Sequence, residues 1–86
     1  MQQIELEITN PTGLHTRPGA EFVRLAKMFA CEIEICKQDK TANAKSLVKL
    51  LKIGISQGDR IVLRCNGDDE KAALETLVGH IQGLKE

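Results

Sequence analysis

Residues 31–37 read Cys31-Glu32-Ile33-Glu34-Ile35-Cys36-Lys37, in which apolar and charged side chains alternate. A period of two is typical of a β-strand that buries one face and exposes the other. The next residues, Gln38-Asp39-Lys40, predict a tight connection into a short polar strand over residues 41–43. This stretch therefore predicts an antiparallel hairpin in a sheet with one buried face and one face in water.

The same alternation recurs on both sides of this hairpin, in residues 2–9 and 60–65. The side chains expected on the buried face of these two segments are Ile4, Leu6, Ile8, Ile61, Leu63 and Cys65. Turn-forming residues follow the first segment (Asn10-Pro11-Thr12-Gly13) and precede the second (Gln57-Gly58-Asp59). The sequence thus predicts four strands that share one buried face.

Two further segments follow the helical period. Residues 17–29 carry an apolar stripe, with Pro18 in the first turn, where its missing N–H costs nothing. Ser46 stands before residues 47–53 and Gly54 after them, which predicts a short helix with a cap at each end.

A third helical stripe consists of Leu74, Leu77, Val78 and Ile81. Asp68 or Asp69 precedes it, and either residue is expected to cap the helix. The predicted order is β-α-β-β-α-β-α. Because the sheet has a single buried face, all three helices must cover that face. The predicted fold is an α/β two-layer open-faced sandwich, with a four-stranded antiparallel sheet and three helices on one side.

Length and composition exclude several classes of protein. With 86 residues, the chain is expected to form a single domain over residues 1–86. Twelve basic residues balance twelve acidic ones, which argues against a nucleic-acid binder and a polybasic membrane anchor. No apolar run approaches the ~20 residues that span a bilayer, and no signal-like segment opens the chain. We therefore expect a cytoplasmic protein without membrane insertion.

Cysteine spacing and motif content bear on cofactors. The three cysteines lack C-x-x-C spacing, which indicates reduced thiols and argues against disulfides or a metal site. The chain has no Walker loop, G-x-G-x-x-G or H-E-x-x-H motif. We therefore expect no metal and no cofactor.

The candidate functional segment is Gly13-Leu14-His15-Thr16-Arg17-Pro18, between the first strand and the first helix. Backbone N–H groups at a helix start lack intrahelical partners and favour an anion. Arg17 adds a guanidinium suited to phosphate oxygens, and the positive surroundings favour a neutral, nucleophilic His15. The segment thus predicts a histidine that accepts a phosphoryl group. The alternative is that His15 only caps the helix and that its ring is in water. A motif this short does not exclude that alternative.

The second predicted helix offers two further candidates. Ser46 is interpreted first as an N-cap, although a phosphate added there would also be favoured by the helix start. The predicted helix over residues 47–53 has more apolar residues than a short helix can bury. We therefore expect Leu47, Val48 and Leu51 to be exposed beside the His15 segment, with Lys45, Lys49 and Lys52 around them, as a docking patch for proteins. The alternative is that they complete a thin core. His80 is interpreted as a surface or boundary residue.

These segments, together with Ala44-Lys45-Ser46-Leu47 and Gly54-Ile55-Ser56-Gln57-Gly58, resemble the HPr family over essentially the whole chain. HPr proteins are the histidine-containing phosphocarriers of the phosphoenolpyruvate-dependent sugar phosphotransferase system. The resemblance implies that His15 is phosphorylated on Nδ1 by phosphorylated Enzyme I. It also implies transfer onward to sugar-specific IIA proteins or domains. Arg17 matches the family's active-site arginine, and Thr16 lies where the backbone contacts the phosphate.

The resemblance also implies an interaction surface. Its apolar and small positions are Thr16, Ala20, Leu47, Val48 and Leu51, and its basic positions are Arg24, Lys27, Lys45 and Lys49. Ser46 matches a regulatory serine that an ATP-dependent kinase modifies in many relatives, so a serine kinase or regulatory proteins are further expected partners.

Three alternatives differ in function but share the fold. The favoured one is a stoichiometric carrier that is not itself an enzyme and is a monomer. The second is a regulatory module that binds transcription factors through a phosphorylated Ser46 surface, and the presence of His15 argues against it. The third is an HPr-like domain of a multiphosphoryl or dihydroxyacetone-kinase system, in which the donor and acceptor differ.

Overall fold

The computed structural model describes residues 1–86. The strands are β1 (Gln2–Glu7), β2 (Glu32–Lys37), β3 (Lys40–Asn43) and β4 (Arg60–Asn66). The helices are α1 (Thr16–Ala26), α2 (Leu47–Ile53) and α3 (Glu70–Gln82). The predicted element order is confirmed, the bounds of α2 are the predicted ones, and those of β2, β3 and β4 differ from the prediction by one residue.

The four strands form one antiparallel sheet in the order β1-β4-β2-β3. The central strand β4 pairs with β1 through Leu6 and Ile61, and with β2 through Ile35 and Leu63. Paired residues project to the same face of a sheet, so these four apolar side chains share one face. This register follows from the alternation in the sequence, because a slip by one residue would turn the apolar side chains toward water.

The buried face of the sheet lies under all three helices. Phe22 of α1, Leu50 of α2 and Leu77 of α3 are fully buried in the same apolar cluster as Ile35 and Leu63 of the sheet. One core therefore joins the helical layer to the sheet, and the predicted two-layer fold with three helices on one side is confirmed.

The opposite face of the sheet carries charged side chains in pairs. Arg60 lies 3.4 Å from Glu5 and 3.7 Å from Glu7, and Arg64 lies 3.7 Å from Glu34. Exposed ion pairs of this kind contribute little to stability. Their presence shows that this face is built for contact with water.

The first strand is shorter than predicted. It ends at Glu7, but Ile8 still buries its side chain, and its N–H donates to the Asp59 carbonyl at 2.8 Å. Ile4, which was expected on the buried face, is 36% exposed. The reason is that β1 is an edge strand, so its side chains have a neighbouring strand on one side only.

Helix α1 also ends earlier than predicted, at Ala26 instead of residue 29. The N–H groups of Met28 and Phe29 donate to carbonyls three residues back, at Leu25 and Ala26. Such bonds tighten a helix end into turns, and here they lead the chain into β2.

The prediction that an aspartate side chain caps the last helix is wrong. Asp69 does occupy the N-cap position of α3, but its side chain makes no capping bond. Its carboxylate instead accepts the N–H groups of Ala30 (2.8 Å) and Cys31 (3.0 Å). The bond from the Ala30 amide is the main cause that lowers the pKa of Asp69. The side chain thus ties the start of α3 to the connection between α1 and β2.

We expect Asp69→Asn to lower the free energy of unfolding at pH 7, because an amide accepts these two bonds less strongly than a carboxylate. A carboxylate whose pKa is lowered by folding stabilises the protein above its unfolded pKa and loses this effect as the pH falls through the folded value. The difference between the variant and the parent should therefore begin to shrink as the pH falls below the ordinary pKa of 3.8, and should vanish only below the lowered pKa of the folded state.

Urea unfolding at pH 7 and at pH 3 measures both effects. The control is Asp68→Asn, because Asp68 is exposed. Equal loss of stability in the two variants at pH 7 would show that the bonds to Ala30 and Cys31 contribute nothing.

Candidate functional site

His15 occupies the N-cap position of α1. Its backbone is extended (φ −104°, ψ 161°), and its side chain makes no capping bond, so the half-buried ring is not used to close the helix. The amides of Thr16 and Arg17 begin the helix and have no intrahelical acceptor, while Pro18 has no N–H. Two free backbone donors thus follow directly after the imidazole.

Thr16 adopts an unusual backbone conformation at this helix start. Its φ is +42°, in a region that β-branched residues rarely occupy. Such a conformation persists only where the surrounding structure imposes it. Here Pro18 and Gly19 are buried immediately after it, which holds the first turn of α1 against the protein.

The loop before His15 is anchored to its surroundings by buried groups. Asn10 is buried, and its Nδ2 donates to the carbonyls of Gly13 and Glu86, both at 2.9 Å. Leu14 is also buried, and its N–H donates to the Ile55 carbonyl at 3.1 Å. The position of His15 is therefore set by the backbone on its N-terminal side.

Gly13 allows the close approach of two loops. Its φ is +63°, and a Cβ atom at this position would lie 2.3 Å from the Ile55 carbonyl oxygen and 2.8 Å from the Ser56 Cα. Only glycine fits this space. Gly13 is thus a turn residue, as predicted, and it also lets the His15 segment pack against residues 54–59.

The imidazole has one side-chain partner. Its Nε2 lies 3.3 Å from the Ser56 Oγ, which is 41 residues away in sequence. Sequence reasoning gave Ser56 no role, although the residue belongs to a segment that carries the family resemblance. The contact leaves Nδ1 as the ring nitrogen without a protein partner.

Arg17 is 74% exposed, and its Nε lies 3.9 Å from the Glu86 Oε1. An exposed pair at this distance is weak, so the guanidinium is free to turn toward a phosphate. The Glu86 carbonyl accepts the Thr12 N–H at 3.2 Å and also the Thr12 hydroxyl. Glu86 therefore lies beside the site without any signal in the sequence, and Asn10, which was predicted only as a turn residue, anchors the loop.

Helix α2 is capped as predicted by Ser46, whose Oγ accepts the Lys49 N–H at 3.3 Å. The predicted exposure is confirmed for Val48 (66%) and Leu51 (40%) and is wrong for Leu47, which is half-buried because it packs against the core and the first turn of α1. A Cβ atom at Gly19 would lie 3.7 Å from the Leu47 Cδ1, so α2 contacts the first turn of α1.

The other predicted surface residues are mostly exposed. Thr16, Ala20 and Arg24 are exposed on α1, Lys27 is exposed directly after it, and Lys49 is exposed on α2. Lys45 differs, because its Nζ donates to the Phe29 carbonyl at 2.6 Å. Its ammonium group is thus engaged within the protein, although the sequence placed it at the rim of a docking patch.

The residues without an assigned role lie apart from His15. His80 is a boundary residue, with its side chain 11% exposed and its Nε2 3.5 Å from a Glu21 carboxylate oxygen. Cys31, Cys36 and Cys65 are buried free thiols, and burial is the main cause that raises the pKa of Cys31 to about 11. Three or more potential metal ligands do not cluster anywhere in the structure.

None of the helices has both the length and the apolar character needed to cross a membrane.

Comparisons with known proteins identify the family of this chain. The family described as "PTS HPr component phosphorylation site" matches residues 2–82. Phosphocarrier protein HPr of Buchnera aphidicola (subsp. Acyrthosiphon pisum) is 51% identical over 77 residues, which are 90% of this chain and 91% of that protein. The crystal structure of HPr-C-His from Thermoanaerobacter tengcongensis has a TM-score of 0.93 at 43% identity, over 95% of this chain and 92% of that one.

A third relative is Crh of Bacillus subtilis, which crystallised as a dimer with a swapped domain. It is 36% identical, with a TM-score of 0.77 and coverage of 100% of this chain and 99% of that one. The fold and the matched family define the class of phosphocarrier proteins. Within that class, the chain belongs to the HPr family of the phosphotransferase system.

We expect Gly13→Ala to destabilise the protein more than Gly54→Ala does. Both residues have a left-handed φ, +63° and +73°, which costs an alanine about 1–2 kcal/mol. A Cβ atom at Gly54 meets nothing within 4 Å, whereas one at Gly13 meets the Ile55 carbonyl. Urea unfolding of both variants measures the difference, and equal losses would contradict the close approach of the two loops.

Proposed function

We propose that this chain is a phosphocarrier that takes a phosphoryl group from phosphorylated Enzyme I onto Nδ1 of His15. It then passes the group to sugar-specific IIA proteins or domains. The observation that carries the proposal is the half-buried His15 ring at the start of α1, with Nε2 on Ser56 and no capping bond. That arrangement leaves Nδ1 available as a nucleophile next to two free backbone donors.

The proposed transfer conserves the group at each step. The Nδ1 lone pair attacks phosphorus, the new N–P bond forms, and the bond to the donor breaks with its electron pair left on the donor. The amides of Thr16 and Arg17 are placed to stabilise the phosphoryl oxygens. Transfer onward repeats the step in the opposite sense, with a nucleophile of the IIA partner attacking in line.

Arg17 is proposed to stabilise the transferring group. A guanidinium donates to two phosphate oxygens at once, and its weak pair with Glu86 leaves it free to do so. An exposed site of this kind binds phosphate only moderately. A carrier needs this property, because it must release the same group that it accepts.

The exposed surface around α1 and α2 is proposed as the docking face for both partners. Val48 and Leu51 offer apolar area, while Arg24, Lys27 and Lys49 offer positive charge for acidic patches on the partners. One small face that serves successive partners suits transient complexes. We propose that the chain acts as a monomer in the cytoplasm and is a stoichiometric carrier, not an enzyme.

Ser46 is proposed as a site where a kinase regulates docking. Its Oγ accepts a bond at the start of α2, two residues before the exposed Val48. A phosphate there would add negative charge to a face that otherwise presents lysines and arginines. The purely regulatory alternative is less well supported, because the chain keeps His15 in an accessible position.

We expect His15→Ala to abolish labelling of the protein by Enzyme I and labelled phosphoenolpyruvate, since it removes the acceptor nitrogen. The adduct in the parent should be acid-labile and base-stable, as expected for a phosphohistidine. His80→Ala is the control and should label fully, because His80 lies in the last turn of α3, with its Nε2 next to Glu21. Label retained in the His15→Ala variant would refute the assignment.

We expect Arg17→Ala to slow transfer from Enzyme I roughly tenfold, with the free energy of unfolding nearly unchanged, because the side chain is 74% exposed. The matched control is Arg60→Ala, which removes another exposed arginine with carboxylate partners, on the charged face of the sheet. Rapid-quench experiments measure the rate of phosphoryl transfer from Enzyme I to each variant. Equal rates would show that the Arg17 guanidinium does not stabilise the transferring group.

A further inference from the structure

Residues 54–59, here called the 54–59 loop, form one wall of the His15 site. The Ile55 carbonyl accepts the Leu14 N–H at 3.1 Å, and Gly13 packs directly against Ile55 and Ser56. The Ser56 Oγ lies 3.3 Å from the His15 Nε2. The loop therefore touches both the backbone that delivers the imidazole and the imidazole itself.

A single lysine on the sheet holds both ends of this loop. The Lys37 Nζ donates to the Gly54 carbonyl at 2.8 Å and lies 2.8 Å from the Asp59 Oδ2. The Lys37 and Asp59 side chains are only 20% and 26% exposed. Because this pair is mostly shielded from water, it is screened less than the surface pairs on the open face of the sheet.

Asp59 connects this ion pair to the residue that contacts His15. Its Oδ2 also accepts the Ser56 N–H at 2.8 Å. The Lys37 ammonium is the main cause that lowers the pKa of Asp59, followed by the Ser56 amide, and His15 contributes in the same direction. A continuous path of polar contacts thus runs from β2 through the 54–59 loop to the imidazole.

We propose that Ser56 orients the His15 imidazole and selects its tautomer, and that Lys37 and Asp59 hold Ser56 in place. The inference rests on the proposed function, in which Nδ1 is the nucleophile. All three are positioning residues for phosphoryl transfer, because they act through the imidazole and not on the phosphoryl group.

The chemistry needs one particular tautomer. A neutral imidazole has one N–H donor and one acceptor nitrogen, and only the acceptor can attack phosphorus. When the Ser56 Oγ accepts a bond from Nε2–H, the lone pair is on Nδ1. The negative charge of Asp59 behind Ser56 favours a proton on this side of the ring. The Nε2 proton stays in place through acceptance and release, so no proton has to move at His15.

The first test measures the tautomer directly and does not depend on transfer. In protein labelled with ¹⁵N, the chemical shifts of the two His15 ring nitrogens are measured at a pH where the ring is neutral. They should report mainly the Nε2–H form. Ser56→Ala should move these shifts toward those of a mixed population. Ser56→Thr keeps a hydroxyl and should restore the parent values. Unchanged shifts in Ser56→Ala would overturn the proposal.

The second test measures transfer. Ser56→Ala should accept the phosphoryl group from Enzyme I about tenfold more slowly, and Ser56→Thr should recover most of the loss. If Enzyme I does not phosphorylate the parent protein but the tautomer still depends on Ser56, the phosphocarrier function fails and the positioning of the ring stands. Full transfer rates in Ser56→Ala overturn the positioning role and leave the phosphocarrier function intact.

The support from β2 is tested with Lys37→Met and a matched control, Lys40→Met. Lys40 begins the neighbouring strand and is exposed, and it takes part in no ion pair. Lys37→Met should shift the His15 tautomer and slow transfer in the same direction as Ser56→Ala, whereas Lys40→Met should do neither. A Lys37→Met protein that loses only thermal stability, with tautomer and rate unchanged, would show that the ion pair acts on the fold alone.

Discussion

The hydrogen bond from the Leu14 N–H to the Ile55 carbonyl joins the two loops that meet at His15. The bond requires the close approach that Gly13 allows, and the buried Leu14 side chain fixes it to the core. Each loop has its own internal hydrogen bonds, between Asn10 and Gly13 in one and between Ser56 and Asp59 in the other. Together they form a rigid support, so that a histidine at a helix start becomes a group with a defined direction. The placement of the imidazole relative to the α1 amides depends on this junction.

A carrier works under a constraint that a catalyst does not share, because it must bind and release the same group with similar ease. On the proposed function, the site at His15 meets this constraint by being shallow. It offers two backbone amides and one exposed guanidinium, and the ring remains half-exposed at the surface. A deeper pocket would bind phosphate more strongly and block the next nucleophile. The neighbouring face of α1 and α2 is equally open, which suits partners that arrive in succession.

The backbone elements could be predicted from the sequence, because their signals are local. The role of His15 as the acceptor rests on a local signal of the same kind and stays a prediction. Alternation over residues 31–37 and 60–65 defines strands with one buried face, and Ser46 and Gly54 mark the two ends of α2. His15 stands out because it directly precedes a helix start. Each of these signals lies within a few residues of the feature that it predicts. The C-terminal ends of β1 and α1 were less predictable. They depend on which strand lies next to β1 and on the tight turns that follow α1.

The sequence by itself determined which segments form strands and helices, and that a histidine begins α1. Only the tertiary structure decided what that histidine touches. Ser56 contacts it from 41 residues away, and Lys37 at the end of β2 reaches Asp59 in the 54–59 loop. Contacts of this kind depend on how the sheet orders its strands and how the loops meet at its end. The sequence around a single lysine or serine does not indicate which distant residue its side chain will contact after folding.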